Sequence, residues 1–225
     1  MHLTRRRTIL TALLAVFGPL VFLICEAIAA QAWTAGIYDY GHNFISDLGT
    51  TVCGSTFGGR EMCSPLHAVM NFGFVAMGIA TATAAVLIGT RLAGRRRTAL
   101  FILGPAIAVG MFLVAGFPGG VESRDNGTIA LHALGAGLAI AAGNIVAIVV
   151  GSASIQLGFA GWHRVLVTTL GIVGLVALVL TVADPGFLDP AIFERTAVYA
   201  IFAFWLATTA AIWGWYSRTK DVASA

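Results

Sequence analysis

Charge is scarce in this chain. Asp, Glu, Lys and Arg make up 10% of its 225 residues, against about 25% in a soluble domain. Hydrophobic residues make up 58%, and the mean hydropathy is +0.89. That balance excludes an ordinary soluble globule and points to an integral membrane protein. Lysine is nearly missing: Lys220 is the only one among thirteen basic residues. The arginines fall in short clusters, not in a basic stripe interleaved with aromatics, which excludes a nucleic-acid surface. Cysteine is limited to Cys25, Cys53 and Cys63. The GxSxG, HExxH and HxxxH spacings of common serine-nucleophile and compact zinc sites are all missing.

Long apolar runs are what the chain has instead. A spanning helix needs about 20 mainly apolar residues. Six segments qualify, roughly 8–30, 66–90, 99–117, 129–151, 165–183 and 195–216. The expected fold is all-α: one transmembrane domain over 1–225, built as a bundle of six helices. The basic clusters set its orientation. Arg5–Arg6–Arg7, Arg91 with Arg95–Arg96–Arg97, Arg164, and Arg218 with Lys220 occupy one side of such a bundle. Only Arg60, Arg124 and Arg195 fall on the other. The positive-inside rule then makes both termini cytoplasmic in a multi-pass protein of the cytoplasmic (inner) membrane.

The amino end has the outline of a signal peptide, with RRR, an apolar run and AIAAQA. However, Thr8 to Cys25 exceeds the 7–15 residues, about, of a signal core. A twin-arginine signal exports folded proteins, which suits five further spans poorly. The reading is an uncleaved first helix. Cys25 lies within it as a packing residue. Cys53 and Cys63 share the outer loop 31–65, where an oxidising compartment favours a disulfide worth about 3 kcal/mol. Two unpaired thiols or two metal ligands are the alternatives.

Every acidic residue except Asp221 falls at the outer face, so any chemistry is expected there. Ser64-Pro65 reads as an N-cap with proline at the first helical position of the second span, and Asp189-Pro190 repeats the signature for the sixth. Thr128 is the candidate cap of the fourth. All three helices would start at the outer surface and carry polar side chains in their first turns: His67 and Asn71, His132, and Glu194 with Arg195. Helix N-termini beside Arg195 suit an anion such as a lipid phosphate. The alternative is pairing within the protein, Glu194 or Asp47 with Arg195.

The first outer loop contains YDYGHNFISDLG, unlike the rest of the chain. Read as a helix, it gathers Trp33, Ile37, Tyr40, Phe44 and Leu48 on an apolar face and Asp39, His42, Asn43, Ser46 and Asp47 on a polar one. That is the pattern of an interfacial amphipathic helix. Gly36 and Gly41 oppose it at about 1 kcal/mol each, and a partly extended lid is equally consistent.

Five motifs in order resemble a known family: ISDLG after the first span, NFGFVAMG in the second, GFP ending the third, HALGA in the fourth and FERTAVYAIFAFW in the sixth. The chain looks like the bacterial and archaeal six-span family catalogued as domain of unknown function 998, over nearly its whole length. By position the resemblance implies roles for Ser46, Asp47, Gly49, Asn71, Phe117, Pro118, His132, Glu194 and Arg195. An acidic residue often follows the FP pair in that family. Here Gly119-Gly120 follow, which leaves the place to Glu122 or Asp125. ISDLG is also similar to the ISDTG element of the eukaryotic Frag/DRAM/Sfk membrane proteins, some of which are associated with lipid remodelling or distribution.

Several functions fit these residues. The first is handling of a phospholipid headgroup or other small amphiphile in an outward pocket. His132 would be its general base and Asp47 the orienter, while Ser46, Asn71, Glu194, Arg195, His67 and His42 contact the ligand. Whether that is catalysis stays open, since Ser46 is the only serine in the group. The second is a b-type haem protein using His67 and His132 as axial ligands. The third is a metal-dependent hydrolase built from His42, Asp47, His67 and His132. The fourth is an assembly protein without chemistry, in which Gly135, Ala139 and Gly143, or Ala76, Ala80 and Ala84, form small-residue faces. No cofactor and no oligomeric state is specified by the sequence.

Overall fold

A computed structural model describes the backbone of residues 5–223 and the side chains of residues 6–217. The side chains of Arg5, Arg218, Lys220 and Asp221, used above for orientation, lie outside the described residues. The described residues form seven α-helices: α1 Arg5–Gln31, α2 His67–Gly89, α3 Gly94–Gly116, the short α4 Val121–Asp125, α5 Ile129–Ser152, α6 Gly161–Ala183 and α7 Pro190–Ala223. All but α4 are long and apolar enough to cross a membrane. The six expected spans are therefore six helices, with ends moved by a few residues.

Chain neighbours are antiparallel, and α1, α2, α3, α5, α6 and α7 pack in that order as a ring that closes where α7 meets α1. Within a bilayer, helices gain little from apolar burial against one another, so close backbone approach becomes the main source of attraction. The glycines supply it. A Cβ at Gly110 of α3 would stand 2.6 Å from the Gly135 carbonyl oxygen of α5. Gly73 of α2 rests on Cys25 of α1, and Gly143 of α5 rests on Ile201 of α7. The small-residue faces seen in the sequence thus serve contacts inside the bundle: Ala139 meets Gly110, and Ala80 meets Gly18.

Buried polar groups join three helices at mid-bundle. Asn144 of α5 is fully buried and donates from Nδ2 to the Ile140 and Ala197 carbonyls, 2.9 and 3.1 Å away. Its amide also packs against Gly174 of α6. Nearer the end that carries the arginine clusters, His163 Nδ1 meets Ser154 Oγ at 2.8 Å and its Nε2 meets Thr208 Oγ1 at 3.2 Å.

The opposite end carries the 32–66 segment, referred to below as the loop end. A two-stranded hairpin, β1 Ser55–Phe57 and β2 Arg60–Met62, is antiparallel and is clasped by the Cys53–Cys63 disulfide. Two expected caps are differently employed. Ser64 Oγ donates to the Leu48 carbonyl at 2.7 Å, and α2 starts three residues later. Thr128 does not cap α5; its N–H and hydroxyl both turn back to the Asn126 side-chain oxygen. In each case the hydroxyl donates to a loop acceptor. Asp189 does cap α7, since its Oδ1 accepts the Ala191 N–H at 2.9 Å with Pro190 as the first helical residue.

Candidate functional site

The YDYGHNFISDLG stretch is not a continuous helix. Residues 39–43 form a turn in which the Asp39 carbonyl accepts the His42 and Asn43 N–H groups and Asn43 Oδ1 accepts the Asp39 N–H. A 3-10 turn follows at Ile45–Gly49. Gly36 with φ +77° breaks any helix before them. The side chains sort by depth, not by helical face. Ile37 is 94% exposed, whereas Trp33, Tyr38, Ile45 and Leu48 are buried. Trp33 and Tyr38 pack edge to face at 5.4 Å. The supposed polar face is split as well: Asn43 and Asp47 are buried, whereas Asp39 and His42 are exposed.

Arg195, in the second turn of α7, holds this segment down. Its Nε donates to the Tyr40 carbonyl at 2.6 Å. Nη1 donates to Glu26 Oε1 of α1 and to the Tyr199 hydroxyl, and Nη2 to the Tyr38 hydroxyl and the Asn43 carbonyl. All five guanidinium N–H groups thus end inside the protein. Tyr199 also donates to Glu26, 2.9 Å from both carboxylate oxygens. The Tyr40 ring faces the guanidinium at 4.7 Å, a distance at which a cation is attracted to the ring face. Burial pushes the Tyr38 phenol well above its usual range, with Arg195 pulling it down and the Glu26 charge adding to the rise. Tyr38 is therefore a neutral donor, and its hydroxyl passes its own proton to the Phe44 carbonyl at 2.8 Å.

Arg195 pairs with Glu26, and neither Glu194 nor Asp47 is its partner. Asp47 belongs to the hairpin. Its Oδ2 accepts Arg60 Nε at 2.8 Å and the Phe44 N–H at 2.9 Å, so it stitches its own turn and anchors β2. Arg60 lies over the Phe44 ring at 4.6 Å. No hydrogen bond joins Asp47 to His132 among the described residues; the Asp47 carboxylate is engaged by Arg60 and the Phe44 N–H. The His132 ring instead meets the Phe117 carbonyl through Nδ1 at 2.9 Å and faces Gly119. That contact ties the start of α5 to the end of α3.

The remaining candidates also meet the loop. Glu194 Oε2 accepts the Ile45 N–H at 2.7 Å. With Ser46, Glu194 borders a cavity of about 30 Å³, walled by Phe22, Phe74, Met111 and Val198, room for about one water. Asn71 Nδ2 donates to the Gly49 carbonyl at 3.0 Å. Its Oδ1 is buried against the Gly49 Cα and has no partner among the described residues, which is why a side chain at the last position of ISDLG would collide. His67 is half-buried at the first residue of α2. Among the described residues, no three His, Cys, Asp or Glu side chains stand close enough to share a metal ion.

His42 bridges the loop to the N-terminus of α7, with Nδ1 2.6 Å from Asp189 Oδ2. Burial raises the Asp189 carboxyl, but the Ala191 N–H and the His42 ring outweigh it and hold the carboxyl below its usual value. A carboxylate so depressed stabilises the fold above its unfolded pKa of about 3.9. The contribution is lost as pH falls through the lower folded value. Asp189→Ala is expected to cost about 1 kcal/mol at pH 7 and less near pH 2, where the carboxyl loses its charge-dependent share, while Asp189→Asn keeps the cap and loses less at pH 7. Thermal unfolding at the two pH values checks this; an equal loss at both would refute it.

Two openings adjoin these contacts. A polar cleft of about 280 Å³ lies between Thr51, Gly119, Gly120, Glu122, Asn126 and Thr128. A larger groove of about 550 Å³ runs between α6 and α7. Leu170, Val173, Ile192, Ala200 and Ala203 form its apolar walls, and Tyr40, Gly41, Arg195, Thr196 and Tyr199 line the rest.

Glu26, Tyr38, Arg60 and Tyr199 are central to the site, yet none was singled out from sequence. One signal existed for Glu26: it is the only charged side chain from Thr8 to Gln31, and such residues within a span are rarely without a partner. Tyr38 and Arg60 had no such signal, because their partners are distant in sequence.

No curated protein and no solved structure matches the chain. A family model does match, over residues 8–212, with the description "Protein of unknown function (DUF998)". That match runs from the first span to the last and takes in every motif on which the resemblance rested, so the chain belongs to the DUF998 family of proteins of unknown function.

Proposed function

We propose that this membrane protein binds an amphiphile in the groove between α6 and α7, at the loop end of the bundle. The observation that carries the reading is the groove's division into an apolar wall and a cluster of hydrogen-bonding side chains. A lipid-like molecule has the same division. At about 550 Å³ it falls within the usual range of small-molecule sites, about 300–1,000 Å³. Its location favours a ligand arriving from the bilayer. The α6 helix is the least buried of the six spans, and Val173, Val176 and Val179 on it are exposed. The docked 38–45 segment forms the upper rim through Tyr40 and Gly41.

Ala203→Trp would fill the groove with an indole ring. Protein purified in mild detergent is expected to carry a bound amphiphile by native mass spectrometry. The variant should lose at least nine-tenths of it while keeping its thermal stability. Undiminished ligand in a folded variant would refute the groove as the site.

The loop end is proposed to face away from the cytoplasm, with both termini inside. The arginine clusters support this through the positive-inside rule, and the Cys53–Cys63 bond supports it because disulfides persist in oxidising compartments. A C-terminal fusion to a reporter that is active only in the cytoplasm should be active. Activity of a periplasmic reporter at that end would overturn the orientation.

A further inference from the structure

We infer that the α6–α7 groove selects an amphiphile with an uncharged, hydroxyl-bearing head, such as an acylglycerol or a long-chain alcohol, over one with a phosphate. The inference rests on the groove reading above and adds the chemical class of the ligand's head. Arg195 is the only cationic side chain lining the groove, and it is the group an anionic head would be expected to seek. Its five N–H groups are already donated to Tyr40, Glu26, Tyr199, Tyr38 and Asn43. To grip a phosphate it would have to leave Glu26, whose side chain is only 2% exposed. A buried carboxylate would then be stranded without its counter-ion. With that pair intact, the positive charge at the groove is balanced by a negative charge beside it.

The groups still able to serve a ligand are neutral. Tyr40 is nearly half exposed at 46%. Only its backbone carbonyl and ring are engaged with Arg195. Burial and the nearby Glu26 raise its phenol, against the pull of Arg195, so the hydroxyl stays a donor at physiological pH. Thr196 is exposed and donates to the Ile192 carbonyl at 2.8 Å, which leaves its oxygen free to accept. One donor and one acceptor beside an apolar wall match a hydroxyl, which needs both. They offer a phosphate a single donor and no net charge.

The test compares monooleoylglycerol with oleoyl lysophosphatidic acid, which share one acyl chain and differ by the phosphate. Binding to the full-length protein in neutral detergent micelles is read by native mass spectrometry and competition. Monooleoylglycerol is expected to bind at least tenfold more tightly, with little dependence on salt. Tyr40→Phe combined with Thr196→Val should weaken it at least fivefold. Both substitutions leave the Arg195 contacts in place, since the Tyr40 carbonyl and ring are retained. Tighter binding of the phosphorylated lipid would overturn the head-group inference and leave the groove standing. Binding of neither lipid, or equal binding to Ala203→Trp, would overturn both.

Discussion

Replacing Arg195 by methionine is expected to lower stability by roughly 3–5 kcal/mol, the usual cost of breaking a buried ion pair from one side. At about 2–4 °C per kcal/mol for a chain of this size, thermal unfolding in detergent should fall by something on the order of 10 °C. Desolvation, not lost attraction, is the main cause. Glu26 would remain buried, with Tyr199 as its only remaining hydrogen-bond donor among the described residues, and three loop groups would lose their donor at once. The consequence should be local as well as global. Tyr38, Tyr40 and Asn43 make three of the contacts that hold the 38–45 segment on α7, beside Ile45–Glu194 and His42–Asp189, so a protease should cut that segment faster in the variant than in the parent. The paired variant Glu26→Gln with Arg195→Met removes both charges and should recover a large part of the stability. If the single variant melts within about 2 °C of the parent, the cluster is not the clasp described here.

The ring of helices is closed unevenly, which explains why this one clasp matters. The α3–α5 and α5–α6 seams are formed by glycines against backbone. The α7–α1 seam is instead held at the loop end by Glu26, Arg195 and Tyr199, with Phe22 against Phe202 at 5.0 Å below them. The same residues dock the loop and border the proposed groove. Loop order and groove shape are therefore linked through one guanidinium.

How much of this was legible in the sequence depends on the range of the interaction. Hydropathy over about 20 residues is enough to locate a span, and all six spans are helices within a few residues of the expected bounds. Asp189-Pro190 was readable because a cap and its helix are adjacent. The Cys53–Cys63 pairing was readable because only two cysteines share the loop. Ser64 and Thr128 misled because the same residue types also bond to loop acceptors, here Leu48 and Asn126. The amphipathic helix misled for a related reason. A spacing of three and four fits Trp33 to Leu48, but Gly36 breaks the helix and tertiary contacts decide burial, leaving Ile37 in the open and Tyr38 inside. The long-range bonds of the clasp join residues 152 to 173 positions apart. No local period encodes such a pairing, although Glu26 within an apolar span was a hint that it needed a cation.

Gly110→Val is the second substitution expected to have a large effect, and it acts through shape alone. A Cβ at this position would stand 2.6 Å from the Gly135 carbonyl oxygen and 2.7 Å from the Ala139 nitrogen. Both are helix backbone and cannot rotate aside, so α3 and α5 must separate. Overpacking commonly costs about 1–3 kcal/mol, and the upper end is expected because every contact along the seam loosens together. The contact is reciprocal: a Cβ at Gly135 would meet the Gly110 carbonyl oxygen at 2.7 Å. Gly137, two residues on, faces nothing within 4 Å, so Gly137→Val is the matched control and should melt within a few degrees of the parent. Separation would also reach the loop end. The His132–Phe117 contact bridges the start of α5 and the end of α3, and Thr50 donates to the Gly119 carbonyl two residues farther on. Gly110→Val should therefore increase protease cutting near residues 117–128 as well as lower the melting temperature. Equal losses for Gly110→Val and Gly137→Val would mean that these glycines act through backbone propensity, and the close α3–α5 approach would lose its claim as the cause.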